Sequence, residues 1–212
     1  MTEFLLIRHG YSVSNEKDLF TGQTDVPLTE EGIEQAKRTA EYLSEHYRVN
    51  GIFSSDLSRA FETARCFSEK AGIPVEKDER LREIDGGAWE GKSVAEIAEK
   101  YPAEYFLWKN DIGNCHPPEG EKMCDFQKRI TDRLKEIARE SEGKTIAVFT
   151  HACAIRVTEC FSRGLPLSRM KEIPWVKNAS VTAIDCDGGR FSLKFVGYAE
   201  HLASLQTTIR SF

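Results

Sequence analysis

No stretch of this chain approaches the run of about 20 apolar residues that a membrane helix needs, and no membrane-spanning segment is expected. The start, Met1-Thr2-Glu3-Phe4, lacks the basic region and apolar core of a secretory signal, which makes a cytoplasmic location the expectation. Positive charge is not in excess either: 29 Lys and Arg stand against 34 Asp and Glu, for a formal charge of -5. Nothing advertises a nucleic-acid partner. The six cysteines contain no C-x-x-C pair and are read as reduced thiols, since a chain of 212 residues needs no disulfide staples. Cys115, His116 and Cys124 match no zinc spacing, and neither a metal nor another cofactor is expected. Repeats, low-complexity tracts and breaks in composition are missing as well. One domain over residues 1–212 is therefore expected, and nothing fixes its oligomeric state, with a homodimer compatible.

Against these absences stand short apolar runs that end in charge. Phe4 to Ile7 is continuous enough for a strand covered on both faces of a parallel sheet, yet it stops at Arg8-His9-Gly10. Thr145 to Phe149 repeats the pattern and stops at Thr150-His151. Gly51 to Phe53 is a third strand candidate, and Ile73 to Val75 a weaker fourth. Between them the helical signals fall in order. Thr29 precedes acids and the stripe Ile33, Ala36, Ala40, Leu43; Ser55 or Asp56 precedes Leu57, Ala60, Ala64 and Phe67, with Gly72 as the stop. Phe126, Ile130, Leu134 and Ile137 stripe a third helix, and shorter helices are expected at Ser93 to Lys100 and Ala154 to Ser162. Two late strands flank Asp187-Gly188-Gly189. The alternation predicts a three-layer α/β/α sandwich around a mainly parallel sheet. Residues 101 to 120, with four aromatics and three prolines, read as an irregular insertion, a binding loop or lid.

In open α/β sheets ligands bind beyond the carboxyl ends of the strands. Arg8, His9 and His151 all stand at such ends. Arg59 lies in the first turns of the helix after the third run, and Asn15 adds a neutral donor after the first. Guanidinium forks match the oxygens of a tetrahedral oxyanion, so the set suits phosphate. Within Arg82-Glu83-Ile84-Asp85 the apolar positions are buried on pattern, which leaves Glu83 and Asp85 to handle protons; Glu83 is preferred.

The successive blocks LIRHGYSVSN, GQTDVPLTEEG, SSDLSRAFETA, LREIDGGAWEG and THACAIRV, from Leu5 to about Val157, resemble the signatures of the histidine phosphatase superfamily, also called phosphoglycerate-mutase-like. The resemblance implies that His9 is a nucleophile that becomes phosphorylated. It further implies that Arg8, Arg59, His151 and Asn15 hold phosphoryl oxygens, that Glu83 protonates the leaving group, and that the substrate is a small phosphomonoester. No metal is implied. The chain departs from the family pattern at Tyr11, where Glu or Gln is common, and at Lys122, where Ser is common. It also lacks the basic insertion of glycolytic mutases, which favours hydrolysis over mutase activity. A phosphoglycerate mutase and a non-catalytic phosphate-binding protein remain the alternatives. Tyr11, Phe20, Thr21, Gly22, Tyr105 and Trp108 are the candidates for contacting the rest of the substrate. His46 and His201, and the helix residues Lys128, Arg129, Arg133 and Lys135, are read as solvated.

Overall fold

A computed structural model describes residues 1–203 and 205. Its sheet has six strands in the order β3-β2-β4-β1-β5-β6. They are β1 (Thr2–Arg8), β2 (Gly51–Ser54), β3 (Val75–Lys77), β4 (Thr145–Thr150), β5 (Val181–Asp187) and β6 (Arg190–Tyr198). The β1–β4, β4–β2 and β2–β3 pairs are parallel, whereas β5 runs antiparallel to both its neighbours. The sheet is thus mixed, with β5 the reversed strand.

The continuous apolar run of β1 follows from burial on both faces. Phe4 and Leu6 pack into one core, under helices α4 (Val94–Lys100) to α7 (Ala152–Ser162), while Leu5 and Ile7 pack into the other, under α2 (Glu30–His46) and α3 (Ser58–Ala71). Ile146 and Val148 of β4 divide from Ala147 and Phe149 in the same way. Each large apolar side chain so buried contributes about 1.5–3 kcal/mol relative to exposure. Among the described residues, no helix is long and apolar enough to cross a membrane.

The layers also locate a crevice. From β1 the chain runs through α2 on one face to β2; from β4 it runs through α7 on the opposite face to β5. Adjacent strands whose connections leave in opposite directions open a gap at their carboxyl ends. Arg8-His9 and Thr150-His151 stand at that gap, where the His9 N–H donates to the Thr150 carbonyl at 3.0 Å. Gly10 permits the approach behind it, since a Cβ there would lie 2.4 Å from the Gly32 carbonyl oxygen.

Several expectations need correction. The supposedly irregular insertion holds a helix, α5 (Pro102–Asn110), and a short 3-10 turn at Ile112–Asn114. Proline is tolerated in a first helical turn, and Tyr101, Tyr105, Trp108 and Ile112 follow helical spacing into the core. Neither Ser55 nor Asp56 caps α3 by itself. Asp25, remote in sequence, accepts from the Ser58 N–H and hydroxyl, both at 2.7 Å, and Asp56 pairs with Arg82. Asn15 belongs to a short helix, α1 (Val13–Lys17), where it completes a capping box with Ser12. Ile33 stays exposed at the edge of the α2 stripe. His201 is half-buried against Thr39 and the Ala179 carbonyl rather than solvated, and His46 is exposed as expected. On α6 (Met123–Glu140), Lys128 is solvated, but Arg133 is buried in an ion pair with Asp78, and Arg129 forks onto Glu121. A charge stripe cannot distinguish a solvated face from one folded over a neighbouring acidic loop.

Candidate active site

The crevice is a cleft of about 530 Å³ of empty space, its mouth included, lined among others by Arg8, His9, Asn15, Arg59 and Glu83. His9 Nδ1 lies 2.8 Å from its neighbour's carbonyl, Gly10 O. A carbonyl only accepts, so Nδ1 carries the proton and Nε2 keeps its lone pair. Burial, with Arg59 and Arg8 close by, holds the imidazole well below its ordinary pKa, and the ring is neutral near pH 7.

His151 lies edge-to-face with His9, the ring centroids 5.2 Å apart, and is fully buried, behind the cleft surface rather than on it. Its Nε2 meets the Ser55 hydroxyl at 2.9 Å. Burial and the Arg59 charge lower its pKa too. A hydroxyl that donates to Nε2 leaves the ring proton on Nδ1, which has no protein partner among the described residues.

The two guanidinium groups are held by carbonyls. Arg8 Nη1 donates to the Val176 carbonyl at 2.5 Å, while Arg59 donates from Nη1 to Thr24 O at 2.9 Å and from Nη2 to Gly22 O at 2.7 Å. Burial lowers each pKa to about 10, with Glu83 opposing the fall, so both remain cations near pH 7. The Nε of each is buried without a protein partner among the described residues. Buried donors left unpaired are costly, and together they prepare the cleft for an anion. Gly22 presents its carbonyl from positive φ, +52°, with Glu90 too close for any Cβ. Asn15 Oδ1 accepts from the Ser12 N–H and hydroxyl and from Asn178 Nδ2 at 3.0–3.1 Å, which leaves its donor end for the cleft.

Asp85, Glu90 and Glu83 all stand near the cleft, and the geometry separates them. Asp85 accepts from the Gly87 N–H within its own turn; Glu90 pins Gln23, Thr24 and Gly86. Glu83 alone of the three lines the cleft, its Oε2 accepting from the Cys153 N–H at 3.1 Å and its Oε1 from Ile84 N–H at 3.0 Å. Burial raises its pKa, against the pull of those N–H groups and of Arg59 and Arg8.

Of the expected substrate contacts, Phe20, Thr21, Gly22 and Trp108 reach the cleft wall. Tyr11 and Tyr105 do not. Tyr11 is buried over α2, where its backbone N–H donates to Gln35 Oε1, and Tyr105 packs onto the core. Trp175, Ile84 and Cys153 line the cleft without having been anticipated, and Asn178, which donates to the His9 carbonyl at 3.0 Å, stands directly behind it. Asn178 sits in a segment with no motif and no period. Only the fold brings it there.

Fold and cleft together define a class: an α/β protein with a mixed, mainly parallel sheet, whose switch-point crevice brings together imidazoles, guanidinium forks and one raised carboxyl. The family model for the histidine phosphatase superfamily (branch 1) matches residues 4–198, and the chain belongs to that family. It is 34% identical over 170 residues to phosphoserine phosphatase 1 of Hydrogenobacter thermophilus, covering 80% of each chain. It is 30% identical to the putative phosphoserine phosphatase 2 of the same organism, over 97% of this chain and all of that one. Among solved structures, Bacillus stearothermophilus YhfR superposes with a TM-score of 0.90 at 33% identity, covering 95% of this chain and 100% of that one. A mycobacterial glucosyl-3-phosphoglycerate phosphatase, complexed with VO3, gives 0.86 at 27% identity over 93% of this chain and 99% of its own.

Proposed function

We propose that the chain is a phosphomonoesterase that works through a phosphohistidine on His9. The observation that carries this is the Gly10 carbonyl holding Nδ1–H of a neutral His9, which keeps Nε2 nucleophilic in a cleft lined by two arginines. Nε2 attacks phosphorus, the N–P bond forms, the P–O ester bond breaks, and the Glu83 carboxyl passes its proton to the leaving oxygen. Water then attacks phosphorus and returns a proton to Glu83 as the N–P bond breaks, releasing phosphate and restoring His9. Arg8 and Arg59 stabilise charge on the equatorial oxygens, with Asn15 as a neutral donor. His151 is assigned a phosphoryl-oxygen contact through Nδ1–H, on the strength of that unpartnered atom and its place against His9. The incoming phosphate charge lifts Glu83 further toward its protonated form.

The names of the relatives support hydrolysis of small phosphoesters, among them those of phosphoserine and glucosyl-3-phosphoglycerate phosphatases. The proposal takes the protein to act as one domain without a metal. The test is release of phosphate from phenyl phosphate in EDTA, with acid-labile, base-stable label trapped by rapid quench. His9→Ala is expected to abolish both. Full turnover in that variant overturns the mechanism. Glu83→Gln is expected to slow phenyl phosphate about 10²–10⁴-fold and to affect 2,4-dinitrophenyl phosphate little, because that phenoxide leaves without a proton.

A further inference from the structure

The guanidinium of Arg59 is aimed by a strap of chain rather than by its own helix. From the first turn of α3 the side chain reaches across to the carbonyls of Gly22 and Thr24, where Nη2 and Nη1 donate at 2.7 and 2.9 Å. Both carbonyls belong to residues 20 to 25, which form neither helix nor strand. Their direction must be fixed from elsewhere.

Three ties hold the strap. At one end the Phe20 N–H donates to the Lys92 carbonyl and the Phe20 carbonyl accepts from the Gly91 N–H, each at 2.9 Å, and at the other Asp25 accepts from Ser58 at the start of α3. The middle is left to Glu90. Its Oε1 accepts from the Gln23 N–H at 2.6 Å and the Gly86 N–H at 3.0 Å, and its Oε2 accepts from the Thr24 hydroxyl at 2.5 Å. Strap and carboxylate lie so close that a Cβ on Gly22 would stand 2.1 Å from Oε1.

The Gly22 carbonyl and the Gln23 N–H are the two ends of one peptide unit. That unit is planar and trans, so its carbonyl cannot turn unless its N–H turns with it. Arg59 grips one end and Glu90 the other. A charged acceptor makes each of the Glu90 bonds about twice as strong as a neutral one would. Glu90 does not itself line the cleft, and donors occupy both of its oxygens, so it is not placed to touch substrate.

We propose that Glu90 is a positioning residue for Arg59: by holding the strap from Gly22 to Thr24 it aims the guanidinium at the phosphoryl oxygens. This rests on the phosphomonoesterase reading, to which it adds how one phosphate-binding group is held. Asp25 and the backbone bonds of Phe20 secure the ends of the strap, and Glu90 sets its direction.

The experiment is a double-mutant cycle on kcat/KM of the intact protein, with phenyl and 2,4-dinitrophenyl phosphate, below the melting range of each variant. Glu90→Ala is expected to lose about 10²-fold, as for a catalytic group displaced by about 1 Å, and to lose it equally on both esters because no proton step is involved. In an Arg59→Ala background the same change is expected to cost no more than about 2-fold, since the group it positions is gone. Glu90→Gln keeps an acceptor for the two N–H groups and offers a donor to the Thr24 hydroxyl oxygen, so it is expected to lose only about 10-fold, again with no loss beyond about 2-fold when Arg59 is absent. Should Glu90→Ala fail to fold, the Gln cycle decides. A loss repeated in full in the Arg59→Ala background overturns the inference, as does a loss confined to phenyl phosphate or no loss at all. Those results leave the mechanism standing where the wild type hydrolyses both esters and His9→Ala abolishes turnover. If the wild type hydrolyses neither ester, or His9→Ala retains turnover, the underlying reading falls and the inference with it.

Discussion

Replacing Arg129 by Met tests whether Glu83, the proposed proton donor, is held from outside the cleft. The Arg129 guanidinium grips Glu121 with Nε and Nη2 at 2.9 and 2.7 Å. Its remaining N–H groups donate to the carbonyls of Arg80, Arg82 and Glu83 at 2.9, 3.1 and 3.2 Å. Glu121 closes the clamp through backbone and side-chain bonds to Asp85. The segment from Arg80 to Asp85, and Glu83 within it, is therefore tied to α6 chiefly through this side chain, beside the Arg80–Glu136 ion pair at 2.8 Å. Arg129 and Glu121 are about a fifth exposed, 21% and 17%, so water replaces part of what is lost. The expected destabilisation is about 3 kcal/mol, below the full cost of breaking a buried pair. For a chain of this size that lowers Tm by about 6–12 °C. Activity should fall further than stability alone dictates, because a displacement near 1 Å of a catalytic group costs about 10²-fold. Stopped assays with phenyl and 2,4-dinitrophenyl phosphate, below the variant's melting range, separate the effects. Phenyl phosphate should lose about 10²-fold and the dinitrophenyl ester little, since only the former needs Glu83. Arg129→Lys, which keeps charge but loses the fork, should fall between. Equal loss on both esters would reduce the clamp to a stability element, and no loss on either would refute it.

Three further outcomes follow from the site. His9 and His151 have folded pKa values below their unfolded value near 6.5, so their contribution to stability is present above pH 6.5 and is lost as pH falls through the folded values. Thermal unfolding across pH 5–7 should show a slope of up to about 1.4 kcal/mol per pH unit for each imidazole, and His9→Gln should flatten it; an unchanged slope would contradict neutral burial. Asn178→Leu removes the donor to the His9 and Gly10 carbonyls and to Asn15, and is expected to lower kcat about 10–10²-fold with KM nearly constant; a change confined to KM would deny it a positioning role. Gly10→Ala forces a Cβ onto the Gly32 carbonyl, and urea unfolding should report a loss of about 1–3 kcal/mol, whereas wild-type stability would mean the loop yields freely.

The charged ends of the strands that line the cleft were legible in sequence because they break a rule there. Arg8 and His9 interrupt an apolar run that burial on both faces otherwise explains, and His151 does the same after β4. Residues that obey local rules were harder to read. Arg129 and Arg133 conform to an amphipathic helix whether the facing loop is acidic or absent, and only the 3-10 turn at Glu79–Leu81 decides that they are covered. The period in Tyr101, Tyr105, Trp108 and Ile112 was masked by Pro102, which ends α4 and also opens α5. Asn178 and Trp175 carry no signal of their own, because their roles come from a loop of the reversed strand's approach lying across the switch point, nearly 170 residues from His9. That division has a physical cause. A side chain that touches the reacting phosphate must be chemically unusual where it stands, whereas one that aims it needs only ordinary hydrogen bonds or packing, and these are recognised from what lies opposite.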